Sequence, residues 1–175
     1  LDGTGSGAGR IFGSSVSYGT QFFVINTGFS CGTDKICVMI TVMKTGAKRK
    51  LEIKTWEIKT DRLKRADGSL RIVFLADLHD RLWGEGQEQL LEAIDSLKAD
   101  LILGAGDMLV AKEHAVKMEH ALLLFEELTK RQIPIILSNG NHESRMRQQP
   151  EKYEHQYEAY AGRLTSMGVR ILSDE

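Results

Sequence analysis

Three short clusters of polar residues carry side chains that can hold cations: Asp77-Leu78-His79, Gly106-Asp107 and Gly140-Asn141-His142-Glu143. They offer carboxylates, imidazoles and a carboxamide, a mixed oxygen and nitrogen donor set suited to divalent Mn, Fe or Zn. Asp107 is the natural bridge, because a carboxylate has two oxygens and can serve two ions. Two such ions roughly 3.5–4 Å apart hold a hydroxide acidified to a pKa of about 7, and absorb charge on a phosphoryl group attacked in line. Glycines at 104, 106 and 140 let the backbone bend tightly beside the donors.

For the clusters to meet, the fold must close separations of 30 residues from Asp77 to Asp107 and 34 from Asp107 to Asn141. The hydrophobic pattern supplies the means. Ile72 to Ala76, Leu101 to Leu103 and Ile133 to Leu137 are apolar runs that read as strands buried on both faces, each leading into one of the clusters. Gln87 to Lys98 places Leu90, Leu91, Ile94 and Leu97 at helical spacing, and about Lys112 to Arg131 does the same with Val116, Ala121, Leu122, Phe125 and Leu128. Pro150 suits the first turn of a third helix with an inward stripe of Tyr153, Tyr157, Tyr160 and Leu164. Gly168 ends that helix, and Val169 to Leu172 is a fourth strand. This β-α-β-α-β-α-β order predicts an α/β layered domain with a largely parallel sheet and right-handed crossovers. The carboxyl ends of neighbouring parallel strands then line one crevice. With the chain still extended past Ala76, Asp77 and His79 point to the same side.

The 175 residues carry 23 basic and 24 acidic side chains, with 42% hydrophobic and 27% charged residues. That balance excludes a disordered chain, collagen and a polybasic nucleic-acid binder. Residues 1–50 hold six basic, two acidic and nine of the 17 glycines, against 17 basic and 22 acidic residues in the remainder. The expected division is an irregular Gly-rich segment over 1–49 and a domain over 50–175. Gly3 to Gly9 fails the dinucleotide-binding pattern, because Ala8 and Arg10 stand where a third glycine belongs. Cys31 and Cys37 fit neither zinc nor redox spacing and read as free thiols in a reducing compartment. A cytoplasmic location is therefore expected, with membrane association if an anchor lies upstream. The apolar run from Ile36 to Met43 falls short of the roughly 20 residues a spanning helix needs, and no signal-peptide pattern precedes it. Leu51 to Thr55 alternates like a half-buried strand, and Trp56 and Ile58 continue one residue out of register, predicting a bulge or two short strands. Arg65 to Gly68 reads as a turn.

In type, order and strand context, Asp77-x-His79, Gly106-Asp107 and Gly140-Asn141-His142-Glu143 resemble the calcineurin-like metallophosphoesterase family, whose signature is D-x-H, G-D and G-N-H-[DE]. The likeness covers about residues 70–145. The strand from Leu51 to Thr60 and the lead-in Arg71 to His79 also look like a bacterial branch that often carries a membrane anchor upstream, whereas residues 1–46 do not resemble that anchor. The resemblance implies a layered α/β/β/α fold, expected here only in its N-terminal part. A lone His and a Gly-His-x-His that complete the family's ligand set are expected beyond Glu175, and the start at Leu1 and end on a finishing strand fit truncation at both ends. By the same resemblance Asp77 and His79 bind a first divalent ion, Asp107 bridges and Asn141 binds a second. His142 protonates the leaving alkoxide or steadies the phosphoryl group, and Glu143 orients His142. The implied reaction is hydrolysis of a phosphomonoester or phosphodiester by a metal-bridging hydroxide, without a covalent phosphoenzyme. The alternative is a non-catalytic binding or scaffold module that keeps the fold around an incomplete metal site.

Other readings are plainer. Asp77 or Asp107 alone could cap a helix, and Asn141-His142 alone could be a polar turn. Arg145 and Arg147 read as a basic pair on a loop, solvated or facing a phosphate. Trp83 walls a pocket or covers a core edge. The tyrosines at 153, 157 and 160 read as core or interface, and His114, His120 and His155 as structural or surface residues, the first two within the second helix.

Overall fold

The computed structural model describes residues 23–25, 35–37, 40–45, 48–59 and 69–172. The glycine run from Gly3 to Gly9, Cys31 and the expected turn from Arg65 to Gly68 lie outside the described residues. The element order is β1 (Phe23–Ile25), β2 (Lys35–Cys37), β3 (Ile40–Thr45), β4 (Lys48–Ile53), β5 (Glu57–Lys59), β6 (Ser69–Leu75), α1 (Glu88–Ser96), β7 (Leu101–Gly104), α2 (Glu119–Thr129), β8 (Ile135–Ser138), α3 (Asn141–Gln148), α4 (Gln156–Ser166) and β9 (Arg170–Leu172). Single 3-10 turns at Glu85–Gln87 and Pro150–Tyr153 lead into α1 and α4.

The main sheet runs β5-β2-β6-β7-β8-β9, and β1 pairs with β6 beside this path. Strands β2, β6, β7, β8 and β9 are parallel. β5 is antiparallel to β2, and β1 to the second half of β6. The phase slip at Trp56 is a division into two short strands: β4 forms a separate hairpin with β3, while β5 joins the main sheet. This is a mixed α/β fold with a parallel sheet, as the alternation of strands and helices predicts.

Side chains alternate along the strands because successive Cβ atoms point to opposite faces. Val73, Leu75, Ile102, Ile135 and Leu137 are buried, whereas Ile72, Phe74, Leu101, Leu103 and Ile136 on the other face are half-buried. The expected burial on both faces is thus full on one face only. Leu90 and Ile94 of α1, Leu122, Phe125 and Leu128 of α2, and Tyr160 and Leu164 of α4 join the buried strand residues in one cluster. Each such side chain contributes about 1.5–3 kcal/mol of burial. That cluster is what fixes the helices against the strands.

Three helices differ from expectation. α2 begins at Glu119 rather than near Lys112, because Val110 and Lys117 exchange backbone hydrogen bonds of 2.9 Å each and fold the intervening residues into a loop. His114 therefore lies in that loop, with a left-handed φ of 55°. α3 has no counterpart in the apolar pattern: Asn-His-Glu-Ser-Arg-Met-Arg-Gln buries only Glu143 and Met146. Arg145 and Arg147 are exposed on its last turn, where cations suit the helix dipole, rather than on a loop. The left-handed Glu154 and His155 separate the 3-10 turn at Pro150 from α4, which divides the expected third helix. Tyr153 and Tyr160 are core residues and Tyr157 is half-buried. Among the described residues no helix is long and apolar enough to cross a membrane.

Candidate metal centre

β6, β7 and β8 end side by side, and the loops after β6 and β7 stay hydrogen-bonded to each other. Ala105 N–H donates to the Leu75 carbonyl (2.8 Å), Asp77 N–H to Gly106 (3.1 Å), His79 N–H to Asp107 (2.9 Å) and Asp80 N–H to Met108 (2.7 Å). In this arrangement Asp77, His79, Asp80 and Asp107 are all left-handed, with φ of 55°, 49°, 52° and 54°. Each such residue costs about 1–2 kcal/mol, and strain of this kind gathers at functional sites. Asp77 and His79 therefore come together through left-handed steps, not through the extended spacing expected from sequence.

His79 Nε2 lies 3.5 Å from Asp77 Oδ1. One donor atom from each of Asp77, His79 and Asp107 falls within 4.8 Å of the other two. The third loop reaches them because two glycines meet. A Cβ on Gly106 would lie 1.9 Å from Gly140 N, and one on Gly140 would lie 2.3 Å from Asp107 N. The Asn141 carboxamide rests on Asp107, its facing atom 3.2 Å from Oδ1 and 2.5 Å from Oδ2. As nitrogen that atom donates to both oxygens, the orientation that satisfies the amide.

His142 N–H, in the first turn of α3, donates to Asp107 Oδ1 (2.9 Å), so Asp107 also caps that helix. The His142 ring stands edge-on to the His79 ring, 5.1 Å between centroids at 83°. Its Nδ1 accepts from Ala111 N–H at 2.9 Å. In the neutral ring the proton therefore sits on Nε2, leaving that nitrogen a donor.

Glu143 takes a different place from the one expected of it. His142 is oriented by the Ala111 backbone, and Glu143, 2% exposed, accepts four backbone N–H groups instead. Oε2 receives Asp107 N–H (2.9 Å) and Gly140 N–H (3.0 Å), and Oε1 receives Met108 N–H (2.8 Å) and Leu109 N–H (3.3 Å). The carboxylate thus ties the loop after β7 to the start of α3. Glu143→Gln puts an amide nitrogen against two of these donors. A loss of about 2–4 kcal/mol is expected for leaving two buried N–H groups unsatisfied, read as a lower urea midpoint at unchanged slope.

Asp80 is buried and was not singled out by the pattern, although an acidic residue directly after Asp77-x-His79 was the available signal. Burial pushes its carboxyl pKa up, against the pull of the Ala121 N–H and of His120. The Tyr160 hydroxyl is pushed well above its ordinary value, again by burial. Trp83 is a core residue, 6% exposed. His114 and His155 are exposed beside glutamates, apart from the cluster.

Donors held at about 2.0–2.2 Å by one ion in a tetrahedral array lie roughly 3.3–3.6 Å apart. His79 Nε2 and Asp77 Oδ1, at 3.5 Å, already stand at that spacing, and Asp107 offers an oxygen within 4.8 Å. Two carboxylates and an imidazole fit a divalent transition ion in kind as well as in spacing. Fold and site together define a parallel-sheet α/β protein with an Asp/His/Asp cluster that could hold a cation at the carboxyl edge of its central strands. The sequence profile of the calcineurin-like phosphoesterases matches residues 70–173, and the chain belongs to this family. No curated protein and no solved structure matches it.

Proposed function

We propose that the chain is a metal-dependent phosphoesterase that hydrolyses a phosphomonoester or phosphodiester, with Asp77, His79, Asp107 and Asn141 holding two divalent ions of Mn, Fe or Zn. The observation that carries this is the convergence of Asp77, His79 and Asp107 within 4.8 Å at the sheet edge. Ions bound there supply a nucleophile from water at neutral pH and offset charge on the phosphoryl oxygens. Asp107, which lies against Asn141, would be the residue that both ions share. His142 contributes a donor: with Nδ1 taken by Ala111 N–H, its Nε2–H is free for a phosphoryl oxygen or the leaving alkoxide. Glu143 acts through the backbone, holding the turns that carry Asp107 and Asn141 at one separation.

The complete protein is expected to hydrolyse bis(4-nitrophenyl) phosphate or 4-nitrophenyl phosphate with Mn2+ present, residues 1–175 alone doing so weakly or not at all. Chelation should lower the rate by about 100-fold or more, and re-added Mn2+ should restore it. Hydrolysis that persists through chelation and dialysis would rule the reading out. Metal analysis giving no bound ion, where about two are expected, would favour the scaffold alternative.

A further inference from the structure

Asp80 follows His79 directly, and its polar groups join two other parts of the chain, the loop after β7 and the start of α2. Its N–H donates to the Met108 carbonyl at 2.7 Å, on the loop that carries Asp107. Its carbonyl oxygen lies 2.9 Å from His120 Nδ1, which must be the donor of that pair. Its Oδ1 accepts His120 N–H (2.8 Å) and Ala121 N–H (3.0 Å), the first turn of α2. The N-cap residue of α2, Met118, makes no side-chain cap bond, so this helix is capped by a carboxylate 40 residues upstream in sequence.

A second fastening lies beside the first. Gln87 is fully buried, and its Nε2 donates to the Arg81 carbonyl (2.7 Å) and the His120 carbonyl (3.1 Å) while its Oε1 accepts Trp83 N–H (3.0 Å). The loop after Asp77-x-His79 is thus held twice to His120. α2 in turn is anchored in the core by Ala121, Leu122 and Phe125, each no more than 1% exposed. Asp77 and His79 sit in strained left-handed conformations immediately before this fastening. Strain persists only where the surroundings over-determine it.

We propose that Asp80 is a positioning residue for the metal centre, with α2 as its support: it fixes the turn that aims Asp77 and His79. This rests on the metal-dependent reading above. It goes beyond helix capping, because it predicts a loss of metal affinity that stability alone does not explain.

The test measures Mn2+ affinity of the full chain by isothermal titration, alongside amide hydrogen exchange of the metal-free protein. It compares Asp80→Ala, Asp80→Asn and Leu128→Ala, the last a core change at the far end of α2. Asp80→Ala is expected to weaken Mn2+ binding by about 10–100-fold, the range for residues that orient ligands, and to speed exchange at the His79 amide. Asp80→Asn keeps an oxygen for the two helix N–H groups and should recover most of the affinity. Leu128→Ala should lower stability and leave affinity and His79 exchange near wild type. Equal affinities for Asp80→Ala and Leu128→Ala would overturn the proposal while the wild type still binds Mn2+. A wild type that takes up no Mn2+ would instead overturn the metal-dependent reading, and the proposal with it.

Discussion

Asp107→Asn is expected to lower the metal-dependent hydrolysis rate by about 10³-fold or more, roughly 4 kcal/mol of transition-state stabilisation, with the fold retained. The side chains are the same size, and an amide oxygen placed at the Oδ1 position still accepts His142 N–H, so the cap on α3 survives. What is lost is the negative charge and one donor oxygen, at the position proposed to serve both ions. The new amide nitrogen would face Asn141, whose carboxamide now lies 2.5 Å from Oδ2. Both Mn2+ affinity and kcat should fall, while near-UV circular dichroism and the urea midpoint stay close to wild type. An unchanged rate at saturating Mn2+ would remove Asp107 from the mechanism.

The parallel strands were legible because each is a short apolar run ending at a polar cluster, and β6, β7 and β8 lie side by side as that repetition predicts. Helices with an apolar stripe, α1 and the body of α2, were legible for the same reason. α3 was not, because its stability comes from capping rather than from an apolar face: Glu143 closes onto Gly140 N–H, and only Met146 is an apolar buried residue. The start of α2 is hidden because Val116 continues the helical spacing, while the backbone of Val110 and Lys117 pairs as a narrow loop. No side-chain period distinguishes those outcomes.

At the site, the side chains that offer donor atoms could be named from their types and order. The groups that aim them could not, since they are largely backbone. The Ala111 N–H that sets the His142 tautomer and the Met108 carbonyl that receives Asp80 N–H are groups found on almost every residue. The left-handed turns at Asp77, His79 and Asp107 were also hidden, because Asp and His tolerate that region without requiring it. Nor does the sequence reveal that the Glu143 carboxylate accepts four backbone N–H groups. Sequence adjacency suggests the neighbouring ring, whereas a carboxylate in the first turn of a helix reaches back to backbone donors ahead of it.

Gly106→Ala should show how closely the loops are packed. The residue has a φ of +88°, and an added Cβ would meet Gly140 N at 1.9 Å, Gly140 Cα at 2.3 Å and the Asn139 carbonyl carbon at 2.6 Å. All three are backbone atoms, so no rotamer change relieves the contact and the third loop must withdraw from the other two. Positive φ and overpacking together are expected to cost about 4 kcal/mol. Because the withdrawal separates Asn141 from Asp107, Mn2+ affinity should fall along with stability. Gly168→Ala is the control: its φ is +90°, but nothing lies within 4 Å of the added Cβ. That change carries the backbone penalty alone, about 1–2 kcal/mol, and should leave Mn2+ binding intact. Equal urea midpoints and equal Mn2+ affinities for the two variants would mean that the close approach of Gly106 to Gly140 is not what assembles the site.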